Sequence, residues 1–132
     1  IAIILPALIV AGCAGPQSRN VQRFGSVIGV APEKLEYYKQ LHANPWPEVL
    51  EQITECNIEN YSIYLTQFPD GNHYLFSYFE YTGDDFEADM ARMAADETTQ
   101  RWWKETDPCQ IPLANRPEGA WWKDMEEVFH WD

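Results

Sequence analysis

Asn60-Tyr-Ser-Ile-Tyr-Leu-Thr-Gln-Phe68, then Pro69-Asp70-Gly71-Asn72, then His73-Tyr-Leu-Phe-Ser-Tyr-Phe-Glu-Tyr81 is the stretch that decides the fold. Two runs rich in aromatic and β-branched residues flank a Pro-Asp-Gly-Asn turn, so a β-hairpin is predicted over residues 60–81. The second run is apolar at both parities: Tyr74, Phe76 and Tyr78 point one way, Leu75, Phe79 and Tyr81 the other. Neither face of such a strand is expected to be freely solvated.

Upstream of the hairpin, Val21 to Val30 is rich in Val and Ile and reads as a strand. Pro32 suits a first helical turn, and Leu35, Tyr38 and Leu41 or His42 recur at helical spacing. Pro45 ends that helix, because the residue before a proline is pushed out of the α region. Pro47 begins a second helix with Val49, Leu50, Ile53 and Cys56 on its apolar side. Downstream, Asp84 and Asp85 open a helix carrying Phe86, Met90 and Met93 on one stripe. A further helix is expected over Glu97 to Lys104, a loop over Pro108 to Gly119, and a last strand over Met125 to Trp131. The order is βαββαβ, an α+β, ferredoxin-like arrangement with helices on one face of an antiparallel sheet. Covering of the other face by an identical subunit, giving a dimeric α/β barrel and a homodimer, is the economical expectation.

The 132 residues carry 21 Asp and Glu against 9 Lys and Arg, a formal net charge of -12. Such a chain is not expected to bind nucleic acid, which requires clusters of Lys and Arg to neutralise phosphates. Neutral ligands suit it best. Its 6 Trp, 7 Tyr and 6 Phe exceed what a small core needs, so some rings are expected to face a ligand or a partner subunit.

Residues 1–12 are apolar and resemble the end of a secretory signal, with an upstream start missing from the chain. Leu8-Ile9-Val10-Ala11-Gly12-Cys13 is similar to a bacterial lipobox, which predicts lipidation of Cys13. Residues 13–20 are then a linker and 21–132 the folded domain. The expected location is a bacterial cell envelope, with a membrane met only through that lipid, or the cytoplasm if the segment is not a signal. Cys56 and Cys109 remain, either as a disulfide or as isolated core or loop residues. No CxxC or HxxxH spacing suggests a metal, and none is expected.

Chemistry concentrates in two places. His42-Ala-Asn-Pro-Trp46-Pro47-Glu48 sets an imidazole at a helix end beside a ring held by two prolines, and Gln100-Arg101-Trp102-Trp103-Lys104 sets two adjacent indoles among charges. Tyr38 and His42, four residues apart, share one side of their helix. An imidazole titrates near neutrality, so it can take and give protons, and stacked rings grip sugars. Each feature also has a plain structural reading: His42 as a capping residue, Trp46 as a packing wedge, Tyr61 as a sheet residue, and one of the two indoles as core, since neighbours on a helix diverge by about 100°.

The string Tyr38-x-x-x-His42-x-x-x-Trp46-Pro47-Glu48, with Asn60-Tyr61-x-Ile63-Tyr64-Leu65, Gln100-Arg101-Trp102-Trp103-Lys104 and Glu127-Val128-Phe129, resembles the L-rhamnose mutarotase family over about Arg23 to the C-terminus. The resemblance implies a dimeric α/β barrel that interconverts the α and β anomers of a 6-deoxyhexose without a cofactor. His42 matches the family's proton donor, and Tyr38, Tyr61, Trp102 and Trp103 match its sugar-contacting positions. Asp107 to Trp122 and the ending His130-Trp131-Asp132 depart from the family pattern, which leaves the preferred sugar open between L-rhamnose and L-fucose. Two other readings stand beside it: a non-catalytic sugar-binding lipoprotein, and another enzyme on the same scaffold such as a monooxygenase or lactone isomerase.

Overall fold

A computed structural model describes residues 19–132; the signal-like segment, Cys13 and most of the linker lie outside the described residues. Strand β1 (Gln22–Val30) is followed by a 3-10 turn at Pro32–Lys34 and helix α1 (Leu35–Ala43), then α2 (Pro47–Glu55). The hairpin is β2 (Ile58–Gln67) and β3 (His73–Tyr81), followed by α3 (Phe86–Ala95) and α4 (Glu97–Thr106). A second 3-10 turn, Asp107–Cys109, leads into the short strands β4 (Gln110–Ile111) and β5 (Lys123–Met125). All pairings are antiparallel and the order is β2-β3-β1-β4, with β5 also on β1, which is the ferredoxin-like order expected.

Local chemistry explains the elements. Gly71 at the hairpin tip has φ 88, the left-handed region that favours glycine, and the Asp70 carboxylate accepts from Asn72 N at 2.9 Å, closing the turn. Helices α3 and α4 start under aspartate caps: Asp85 accepts from Ala88 N at 3.0 Å and Asp96 from Thr99 N at 2.7 Å. Asn57 turns the chain from α2 into β2 with φ 59, a conformation asparagine tolerates better than branched residues.

Alternation divides the sheet. Ile28, Val30 and Leu75 point to the helices and form the core with Tyr38 and Cys109, flanked by Leu35, Ile63 and Trp122. Cys56 and Cys109 are both free and fully buried, so the second of the two expectations for them holds. On the opposite face, Tyr64, Phe76 and Val27 lie in register across β2, β3 and β1, and Tyr64 is largely exposed.

The C-terminal region differs from expectation. The last strand is Lys123–Met125, three residues paired with Gly25–Val27, and Glu126–Asp132 has no regular structure although Val128, Phe129 and Trp131 looked strand-like. The free edge of β1 is short and shared: β4 occupies Gly29 and Val30, β5 occupies Gly25 to Val27. Beyond that, Arg23 holds the tail by a side-chain pair with Glu127 at 2.8 Å instead of by a backbone ladder. Gly29 permits the close approach of β4, since a Cβ there would sit 2.8 Å from the Ile111 carbonyl oxygen.

Candidate active site

His42 lies in the last turn of α1 and is oriented by its own helix. Its Nδ1 donates to the Tyr38 carbonyl at 2.9 Å, so the neutral ring keeps its lone pair on Nε2. The ring lies over Tyr38 with centroids 4.2 Å apart and meets the edge of Trp102 at 5.3 Å. Burial among these rings pushes the His42 pKa below its ordinary value of 6.5, against the smaller opposing pull of the Tyr38 carbonyl. The neutral imidazole is therefore the form present at pH 7. Trp46, at the head of α2, packs edge-on against Trp102 at 5.2 Å, so the packing-wedge reading fits it.

Tyr61 reaches the same space through a defect in the ladder. Pairing of β2 with β3 slips between Glu59 and Ser62, leaving Asn60 and Tyr61 opposite Phe79. Asn60 takes φ 48 there, and such a bulge re-aims the side chain beside it. Tyr61 meets the Phe79 ring edge-on at 5.6 Å; its side chain is exposed on the cavity side, and desolvation by the surrounding rings raises its pKa. The neighbouring indoles of α4 divide as their helical angle requires: Trp102 is 7 % exposed and Trp103 37 %.

Tyr38, His42, Tyr61, Trp102 and Trp103 all line one cavity of about 420 Å³ between the helices and the sheet. That lies within the range of about 300–1,000 Å³ usual for small-molecule sites. These five residues come from three elements, α1, β2 and α4, and α2, β3 and α3 complete the walls. Its walls are mostly aromatic and aliphatic, and polar atoms are few.

Other lining residues carry polar or aromatic groups that were not expected at the site. Asp107, Gln110, Trp121 and Trp122 come from the region after α4, which read as a divergent loop. The Trp121 indole donates to Gln110 Oε1 at 2.7 Å, and Gln110 Nε2 in turn reaches the Tyr38 hydroxyl at 3.5 Å. The pair Trp121-Trp122 was the visible hint, since two indoles in a loop need a reason to be there. Among the described residues no group of three His, Cys, Asp or Glu side chains could hold a metal ion.

The arrangement offers a neutral imidazole with a free Nε2, two protonated phenols, and flat aromatic walls. Such a site can take a proton from a hydroxyl and return it to a nearby oxygen while rings stack on the apolar side of a sugar.

The sequence pattern of the family described as L-rhamnose mutarotase matches residues 23–131. An L-rhamnose mutarotase of Oceanobacillus iheyensis is 30% identical over 112 residues, covering 85% of this chain and 100% of that protein. One from Bacillus subtilis is 33% identical over 112 residues with the same coverage. The crystal structure of L-rhamnose mutarotase FA22100 from Formosa agariphila has a similar fold, with TM-score 0.62 at 21% identity over 84% of this chain and 99% of that one. Tetracenomycin F2 cyclase from Streptomyces glaucescens shares the fold as well, at TM-score 0.59 and 16% identity over 84% and 97% of the two chains.

Proposed function

Because the chain belongs to the L-rhamnose mutarotase family, we propose that it interconverts the α and β anomers of L-rhamnose, or of a related 6-deoxyhexose, by acid/base ring opening and closure. The observation that carries the mechanism is the convergence of His42, Tyr38, Tyr61, Trp102 and Trp103 on one cavity. Ring opening moves one proton from the anomeric hydroxyl to the ring oxygen, and both oxygens are attached to the same carbon. Neutral His42 takes the hydroxyl proton on Nε2 as the C1–O5 bond breaks and the C1 carbonyl forms. The resulting imidazolium gives that proton to O5, so no net proton is gained or lost. Rotation about C1–C2 presents the other carbonyl face, and the steps reverse. The phenols of Tyr38 and Tyr61 donate hydrogen bonds to the carbonyl oxygen, and Trp102 and Trp103 stack on the apolar side and methyl group.

Saturation-transfer NMR of anomeric exchange on L-rhamnose, L-fucose and D-glucose tests this reading. Faster exchange of a deoxysugar, removed by His42→Ala, supports it. Binding without faster exchange would instead leave a sugar-binding protein.

The assembly belongs to the same proposal. The row Tyr64, Phe76 and Val27 presents apolar side chains on the sheet face away from the helices, and a second copy of the chain is the occupant that suits it. Sedimentation should give a homodimer, and Tyr64→Lys should shift it to monomer. The lipobox-like run ending at Cys13 supports a lipid anchor and an envelope location; labelling with a fatty-acid analogue, lost in Cys13→Ser, is the corresponding test.

A further inference from the structure

The proposed proton transfers centre on His42, and Asp107 lines the same cavity. Asp107 opens the turn after α4, and it supplies the only carboxylate among the cavity's described lining residues. No described residue hydrogen-bonds or ion-pairs with that carboxylate, whereas Glu127, Glu80 and Asp89 all have partners. The turn is tied to the end of β1: Ala31 N donates to the Cys109 carbonyl at 2.8 Å, and Gln110 pairs with Val30. Gln110 then borders the Tyr38 hydroxyl, while His42 lies one helical turn beyond Tyr38, about 6 Å along α1. On α4, Trp102 touches the His42 ring, and Asp107 follows it by five residues, about 7.5 Å along the helix. His42 and Asp107 thus line the same cavity, offset from one another along α1 and α4.

We propose that Asp107 is a substrate-binding residue whose carboxylate accepts hydrogen bonds from sugar hydroxyls remote from the anomeric carbon, while His42 works at C1. This rests on the mutarotase reading and specifies its substrate class. The half-buried Asp107 carboxylate has no donor among the described residues, and desolvation by partial burial pushes its carboxyl pKa upward. A neutral sugar brings hydroxyl donors and no charge. A sugar acid would set a second carboxylate into the same cavity and be repelled. Asp107 therefore selects neutral polyhydroxy ligands, in keeping with the chain's net charge of -12.

The test compares wild type, Asp107→Asn and Asp107→Ala for L-rhamnose, with exchange rates from saturation-transfer NMR and Kd from tryptophan fluorescence. Asp107→Asn keeps the shape, so KM and Kd should rise together by about tenfold or more, as for loss of hydrogen bonds to a charged group, with kcat within about threefold. Deoxy analogues lacking the contacted hydroxyl should bind wild type and variant alike, a pattern that a structural defect would not produce. Unchanged KM and Kd would overturn the assignment. So would a collapse of kcat at unchanged Kd, which would make Asp107 a proton-transfer group. Wild type that binds L-rhamnose without speeding its exchange would defeat the mutarotase reading alone, because Kd would still report on Asp107. Wild type that binds no sugar would defeat both.

Discussion

Tyr38 and Tyr81 are equally hidden, at 4 % and 1 % exposure, but their hydroxyls keep different company. Tyr81, at the end of β3, donates to Asp89 Oδ2 at 2.7 Å and accepts from Asp85 N at 3.0 Å. Asn57 Nδ2 joins the same Asp89 oxygen at 2.7 Å, and Arg92 pairs with the other at 3.0 Å. A side chain at Gly83 would collide with the Tyr81 hydroxyl, so the group is closed on that side too. Burial first, then the bond to Asp89, pushes the Tyr81 phenol up to about 12, while Tyr81 and Asn57 hold the Asp89 carboxyl below the usual range. Tyr38 has one long contact, from Gln110 at 3.5 Å, and opens on the cavity. A polar atom with all its bonds made holds structure together. One left short of bonds in a cavity is available to a ligand.

Breaking the ligand side at its proton carrier has the largest expected effect. His42→Ala should lower the anomeric exchange rate by about 10²–10⁴-fold, with circular dichroism and melting close to wild type. Next comes the structural side: Tyr81→Phe should lower Tm by about 5 °C or more, since Asp89 loses a donor and the Asp85 N–H an acceptor, yet leave kcat per folded molecule unchanged. Tyr38→Phe should reverse that pattern. Its exchange rate should drop about tenfold, the equivalent of one hydrogen bond, while its melting curve stays near wild type. Asn60→Val, a branched residue forced to φ 48, should shift Tyr61 and raise KM by a few-fold.

The smallest effect is a pH dependence carried by His42. Its folded pKa lies below 6.5, so in the window beneath 6.5 the unfolded chain takes up a proton that the folded one refuses. Its contribution to stability is complete above 6.5 and is lost as pH falls through the lowered folded value. The acid limb of kcat/KM should fall in the same window, because the neutral ring is the working form. Denaturant titrations at several pH values should show wild-type stability minus that of His42→Gln falling as pH drops below 6.5; a difference that does not change with pH would overturn the assignment.

The fold was legible where patterns are local. The hairpin over residues 60–81 followed from its turn and alternation, and α1 and α2 from Pro32, Pro45 and Pro47, because these constraints act within a few residues. The C-terminal strand was misplaced because Val128, Phe129 and Trp131 carry the composition of a strand, while the choice of strand depends on which edge of β1 remains free. The bulge at Asn60 and Tyr61 had no such signature either, since it exists only in the register between two strands.

The sequence by itself determined the element order, the acidic charge, and the residues that can move a proton or stack on a sugar, since these are properties of single residues and short spacings. Only the tertiary structure decided that Asp107 and Gln110 face His42's cavity, that Tyr61 turns into it, and that Tyr81 is closed off. Those are matters of which donors and acceptors meet across the chain, and no spacing along it specifies them.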